Sequence, residues 1–211
     1  MEETAGAPAF LAKEHFHTKK EKPLRRLVAA VALTCVSLPA SAQTIQERLP
    51  TCLACHGGDG QSQNPDVPSL GAQQSFYVTV QLLMFRERMR LADAMNDMAK
   101  GLSDDDLRSF ADVIAKLPAP HPSDAPADAA RMERAAALAV QNRCNVCHPA
   151  TFAGQESVPR IANQREDYLI KALRGYKDNS RHGYDATMAE VMQPVTDDQI
   201  LDLAYYIARV K

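Results

Sequence analysis

Two five-residue stretches carry the side chains with the most chemical reach: Cys52-Leu53-Ala54-Cys55-His56 and Cys144-Asn145-Val146-Cys147-His148. Thiols three positions apart share one face of a helical turn, and the histidine after them can swing beneath a planar group that both sulfurs hold. That spacing is the attachment signal of a c-type haem, in which the thiols bond to the porphyrin edge and the imidazole ligates iron. Two copies imply two haems. A C-x-x-C pair also serves as a thioredoxin-like dithiol or as half of a zinc site, and two pairs could form one four-cysteine zinc centre. The histidine directly after each pair argues against both, as do the 92 residues between the pairs and the lack of a strand pattern before either.

The chain that must position these motifs has 211 residues, enough for one large domain or two small ones. Apolar residues make up 45%, yet aromatics are only 6% and Trp is absent, so cores are thin and a buried porphyrin supplies apolar volume. The net charge of −2 argues for neither nucleic acid nor a strongly anionic membrane surface as partner.

The N-terminus reads as an address. Lys22, Arg25 and Arg26 precede an apolar run from Leu27 to Leu38 that ends in Ala40-Ser41-Ala42, a small-x-small cleavage site. A secretory signal cut after Ala42 is expected, the alternative being an uncleaved anchor, for which the run is short. Cys35 leaves with the signal, so all four remaining cysteines lie in the two motifs. Glu2, Glu3 and Glu14 do not suit the start of a signal, and translation is expected to begin downstream of Met1.

The segment Leu117 to Asp128 carries four of the 13 prolines and reads as an extended, semi-rigid linker. The expected layout is a leader over 1–42, a first domain over 43–117, a linker over 118–128 and a second domain over 129–211. The halves repeat. Pairing Cys52 with Cys144 also pairs Pro68 with Pro159, Gln73 with Gln164, Tyr77 with Tyr168 and Phe85 with Tyr176, all within one residue of the same offset. Ser103 and Thr196 are expected N-caps with Asp106 and Gln199 closing capping boxes. Behind them Leu107, Phe110, Ala111 and Ile114, and then Ile200, Leu203, Ala204 and Ile207, follow the spacing of one apolar helix face. Middle helices are expected from Ser75 to about Arg90 and from Arg165 to about Lys177. A helix from Ala129 to Asn142, capped by Asp128, leads into the second motif, whereas Pro50 is expected to end a short helix before the first. No strand alternation of useful length is present, so the fold class is all-α.

An iron ligated by one histidine leaves a sixth position whose occupant decides between electron transfer and catalysis. The methionine candidates are Met84, Met89, Met95, Met98, Met188 and Met192. Met95 lies eight residues before the cap Ser103 and Met188 eight before the cap Thr196. Met98 aligns with Val191 and Met192 with Ala99, so neither has a counterpart. The repeat therefore selects Met95 and Met188. His121, in the proline-rich segment, and His182 are expected at the surface, and His182 as sixth ligand would lower that haem's potential relative to Met. An iron-bound imidazole usually donates its other N–H to a carbonyl, and the carbonyls of Pro68 and Pro159, 12 and 11 residues after the histidines, would suit that task unless they are simply loop prolines.

The residues from Cys52 onward resemble the dihaem cytochromes c of the cytochrome c4 group, built from two tandem class I cytochrome c domains, each wrapped around one covalently bound haem. The resemblance rests on CLACHGGDG, VPSLGAQQSFY and MNDMAKGLSDDDL in the first half and on CNVCH, VPRIANQREDYL and MAEVMQPVTDDQI in the second. It implies Cys52, Cys55, Cys144 and Cys147 as thioether anchors, His56 and His148 as proximal ligands, Met95 and Met188 as distal ligands, and the carbonyls of Pro68 and Pro159 as partners of the imidazoles. Pro149-Ala150-Thr151-Phe152 stands where the first half has Gly57-Gly58-Asp59-Gly60, so the loop after His148 is expected to run differently.

The resemblance further implies a periplasmic electron carrier, not an enzyme, shuttling single electrons between a respiratory complex of the bc1 type and a terminal oxidase or reductase, with peripheral association at the membrane. The rivals are a cytochrome subunit of a periplasmic dehydrogenase and a dihaem enzyme such as a peroxidase or a thiosulfate-oxidising cytochrome. Charge is uneven: residues 43–117 carry 7 Lys+Arg and 10 Asp+Glu, and residues 129–211 carry 11 and 10, which favours docking through different halves.

Overall fold

Every regular element is helical because the apolar residues recur at helical spacing, and four of the longer helices begin at a Thr, Ser or Asp whose side chain caps the first turn. The computed structural model describes residues 43–184 and 186–210, so the expected leader, residues 1–42, lies outside the described residues. The first half holds α1 (Ile45–His56), α2 (Ser75–Arg86), α3 (Asp93–Ala99) and α4 (Asp104–Ile114). The second holds α5 (Ala129–Gln141), α6 (Cys144–Cys147), α7 (Glu166–Lys177), α8 (Thr187–Met192) and α9 (Asp197–Ile207). The only β pairing among the described residues is an isolated bridge between Gln155 and Val158. No described helix is long and apolar enough to cross a membrane.

The capping boxes at Ser103 and Thr196 form, with Ser103 Oγ accepting from Asp106 N–H at 3.1 Å and Thr196 Oγ1 from Gln199 N–H at 3.3 Å. The helices behind them present Phe110, Ala111 and Ile114 to Leu49 and Val78, and Ile200 and Leu203 to Ala139, Phe152 and Val195. Burying each of these larger side chains contributes about 1.5–3 kcal/mol, which makes α4 and α9 the centres of their halves. The helix pairs that pack, α1 on α4 and α2 on α3 and α4, then α5 on α6 and α9 and α7 on α8 and α9, each lie within one half. Among the described residues no helix of one half packs on a helix of the other; loop residues, together with side chains of α7, carry the contact between halves, which form one unit over residues 42–211.

Pro50 does not end the first helix. A capping box at Thr44, closed by Glu47, starts α1, which continues through Pro50 to His56. The proline lacks one helical N–H, a loss of about 3 kcal/mol in a helix interior. Packing of Leu49, Cys52 and Leu53 against the α4 core offsets it. The break falls in the second half instead: α5 stops at Gln141 and Arg143 is left-handed, with φ 58°, before the short α6. Helix α2 ends at Arg86, four residues before its expected end, because Arg88 also turns left-handed, with φ 56°. The N–H groups of Met89 and Arg90 then both return to the Met84 carbonyl.

The loops after the two histidines take the same course despite their different residues, contrary to expectation. Gly60 N–H bonds to Gly57 O and Phe152 N–H to Pro149 O, both at 2.8 Å. The carbonyl of Gly60 then accepts from Leu70 and Gly71, and that of Phe152 from Ile161 and Ala162. Phe152 tolerates φ 53°, where Gly60 has φ 84°, because its ring is buried edge-on to Tyr206 at 5.9 Å. Backbone strain at one residue is offset by aromatic burial. The segment after Leu117 is non-helical and pinned to both halves: His121 N–H donates to Gln61, Asn163 Nδ2 to the Pro120 carbonyl and Ser123 N–H to the Ala208 carbonyl.

Asp106 joins α1 to α4. The Arg48 guanidinium, and then the Ser103 N–H, hold its carboxyl below the ordinary range. A carboxyl depressed in the folded state adds stability that is full above its unfolded value of about 3.9 and is lost as pH falls through the folded value. Asp106→Asn is expected to unfold more easily by roughly 1 kcal/mol at neutral pH. Chemical denaturation across pH should show that gap closing as the pH falls below the ordinary carboxyl value of about 3.9, whereas a gap constant with pH contradicts the assignment.

Candidate functional site

The last turn of helix α1 carries Cys52, Cys55 and His56, and the single turn α6 carries Cys144 and Cys147, with His148 directly after it at the C-cap. Cys52 and Cys144 are half-buried against the two cores, whereas Cys55 and Cys147 are exposed. All four are thiols outside any disulfide. Burial raises the pKa of Cys52 and of Cys144, so the inner member of each pair is held as a neutral thiol. Among the described residues no three His, Cys, Asp or Glu side chains gather as a metal cluster, so the two C-x-x-C pairs do not converge on one four-cysteine zinc centre.

Both histidines are buried and held in the same way. His56 Nδ1 donates to the Pro68 carbonyl at 2.8 Å, and His148 Nδ1 donates to the Pro159 carbonyl at 3.0 Å. Burial lowers both imidazole pKa values, against the raising effect of the proline carbonyls. The neutral ring thus keeps its proton on Nδ1 and leaves Nε2 as a bare electron-pair donor, the protonation state that a metal ligand needs. The two prolines are therefore more than loop breakers, since their carbonyls are what the rings point to.

The methionines separate by environment. Met84 and Met192 are buried and fill apolar cores. Met89 and Met98 are exposed. Met95, on α3, and Met188, on α8, are each half-buried on corresponding short helices, and Met188 packs against the second core. His121 and His182 lie at the surface.

A cluster between the halves carries a signal that motif reading passes over. Arg90 Nη2 and Arg181 Nη1 donate to the same hydroxyl, that of Tyr168, at 3.2 and 3.1 Å. Arg90 stacks over Phe85 at 4.5 Å and Arg181 over Tyr176 at 5.0 Å. Burial acts to raise the Tyr168 phenol, but Arg181 and Arg90 beside it pull its pKa below the ordinary value. Tyr77 nearby is pushed up by burial. Among the described residues neither arginine forms an ion pair with a carboxylate, and Arg181 Nε is buried without a hydrogen-bond partner. The pairing of Arg90 with Arg181 follows the same repeat offset as Tyr77 with Tyr168, and that was the available clue.

These features fit a c-type haem. Unpaired thiols, a neutral imidazole with bare Nε2 and a thioether at matching places answer the macrocycle and its iron, and two guanidiniums without a carboxylate answer a group that brings carboxylates of its own.

Comparison with known proteins gives the same picture. The family described as Cytochrome c matches residues 132–211. The thiosulfate dehydrogenase electron acceptor of Thiomonas intermedia (strain K12) is 31% identical over 201 residues, spanning 88% of this chain and 91% of that protein. Cytochrome c4 of Thiocapsa roseopersicina is 29% identical over 164 residues, spanning 74% and 85%. In fold, the chain is similar to reduced recombinant cytochrome c4 from Pseudomonas stutzeri, with a TM-score of 0.71 at 24% identity, covering 79% of this chain and 97% of that one.

Removing the Tyr168 hydroxyl takes away the one oxygen that both guanidiniums share. Tyr168→Phe is expected to lower unfolding free energy by about 1–3 kcal/mol, read from denaturant midpoints. Tyr176→Phe keeps that oxygen and should change stability less, and equal losses would contradict the reading of the cluster.

Proposed function

The chain belongs to the dihaem cytochrome c4 family, and from that membership we propose that it is a periplasmic shuttle for single electrons between a bc1-type respiratory complex and a terminal oxidase or reductase. It is a cytochrome with two covalently bound c-type haems and acts as an electron carrier, not an enzyme. The haem supplies one-electron exchange at its iron. What the chain supplies is attachment, ligation and exclusion of substrate.

In this reading Cys52 and Cys55 anchor the first haem and Cys144 and Cys147 the second. His56 and His148 ligate through Nε2 while their Nδ1 protons stay on the carbonyls of Pro68 and Pro159. Met95 and Met188 would supply the thioether ligands. The observation that carries the proposal is recurrence: the same buried, carbonyl-held histidine and the same half-buried methionine occur once in each half. With a histidine and a methionine of the chain holding each iron, no position would be left for a substrate, and thioether ligation would raise the potential into a range suited to respiratory transfer. The more acidic first half and more basic second half offer different docking surfaces to donor and acceptor.

The proposed layout keeps the first domain at 43–117, the connecting segment at 118–128 and the second domain at 129–211, after export and cleavage behind Ala42. A second reading is favoured by the breadth of the match to the Thiomonas protein: the chain accepts electrons from a thiosulfate dehydrogenase. Mixing the chain with such an enzyme and thiosulfate, or with a bc1-type complex and its quinol, separates the two donors by the rate of haem reduction.

Optical spectra of the purified protein are expected to show two low-spin haems with the methionine-to-iron band. Met95→Ala and Met188→Ala should each convert one haem to a form that is high-spin or binds added ligands, while Met98→Ala should not. Retention of both normal spectra in either of the first two variants overturns the ligand assignment.

A further inference from the structure

Two buried glutamines cross between the halves in reciprocal fashion. Gln164 Oε1 accepts from the Ser69 N–H at 2.8 Å, and its Nε2 donates to the Ser69 carbonyl at 2.9 Å. Gln73 Oε1 accepts from the Arg160 N–H at 2.7 Å, and its Nε2 donates to the Arg160 carbonyl at 2.9 Å. Their side chains are 6% and 8% exposed, so water does not compete for these bonds. Each amide oxygen also accepts the N–H of the next residue, Arg165 at 3.0 Å and Gln74 at 3.1 Å, which fixes the amide at the start of α7 and of α2.

The N–H of Ser69 belongs to the same peptide group as the carbonyl of Pro68. That carbonyl accepts from His56 Nδ1. One peptide unit therefore links His56 of the first half to Gln164 of the second, as donor on one side and acceptor on the other. The peptide between Pro159 and Arg160 links His148 of the second half to Gln73 of the first in the same way. Gln73 and Gln164 are equivalent positions of the repeat, so the two links are related as the halves are.

We propose that Gln164 and Gln73 are positioning residues that tune the iron of the opposite half, each through the single peptide group that holds the proximal histidine. Hydrogen bonds in a chain polarise one another. A peptide whose N–H is engaged by an amide oxygen carries more negative charge on its carbonyl, which draws harder on the imidazole Nδ1–H. That raises the basicity of Nε2 and stabilises the oxidised iron it ligates. The potential of each haem is thereby held down by a side chain from the other half. A glutamine acting only as a clamp between halves would loosen the seam and disturb both sites, or the site of its own half.

The inference rests on His56 and His148 being the iron ligands, and that is checked separately by the histidine–methionine spectrum of the unsubstituted protein. The test measures both potentials by spectroelectrochemistry in the full haem-loaded protein, with each haem assigned by NMR. Gln164→Met, similar in size but without the acceptor, should raise the potential of the first-half haem and leave the second unmoved. Gln73→Met should do the reverse. Gln164→Glu keeps an acceptor for the Ser69 N–H and strengthens it with charge, so it should lower the first-half potential. If one methionine variant fails to accumulate with two haems, the other and the glutamate variant carry the same crossed expectation. Shifts confined to the haem of the substituted half, equal shifts at both haems, or no shift in folded variants overturn the relay.

Discussion

Each half of this protein is built to hold one histidine neutral, buried and oriented. A lone imidazole taken out of water needs a partner for its N–H, and a backbone carbonyl fixed by proline supplies one without charge and with little freedom to move. The bond from His56 to the Pro68 carbonyl, and its repeat from His148 to Pro159, determines much of what surrounds it. The loop after the histidine must turn back sharply to bring the proline under the ring. The long C-terminal helix of each half must lie where it supports the cysteine pair from behind.

The two halves reach that geometry from different residues. The first half turns through Gly57 and Gly60, and the second turns through Pro149 and a left-handed Phe152 whose ring is sunk into the core. In the first half one uninterrupted helix runs through a proline into the haem motif, and in the second a break at Arg143 precedes it. Both loops nonetheless share the turn closed at Gly60 or Phe152 and the two bonds that residue's carbonyl accepts, which locates the constraint in the carbonyl's position and not in any one side chain.

Much of this was legible in the sequence. The two motifs state the cofactor, because few other chemistries need that spacing followed by histidine, and the repeat made the caps at Ser103 and Thr196 readable in register. What escaped was set by contacts distant in sequence. Pro50 reads as a helix stop from local propensity, and only the core beneath Leu49 and Leu53 shows why the helix tolerates it. The left-handed residues Arg88, Arg143 and Phe152 have no local signature, since none is Gly or Asn. Gln73 and Gln164 were visible as an aligned pair, but an amide's partners cannot be read until the fold brings another chain segment to it. The cluster of Arg90, Arg181 and Tyr168 was hidden for the same reason.

The central claim is that each half presents one carbonyl-held histidine and one methionine to a haem iron, so that neither iron is open to substrate. A high-resolution crystal structure of the reduced, haem-loaded protein measures this most directly. The account predicts His56 and Met95 on the two faces of one iron and His148 and Met188 on those of the other, with both Nδ1 atoms on the carbonyls of Pro68 and Pro159. An iron carrying water, His182 or a different methionine in the sixth position, or a proximal ring turned away from its proline, would contradict it.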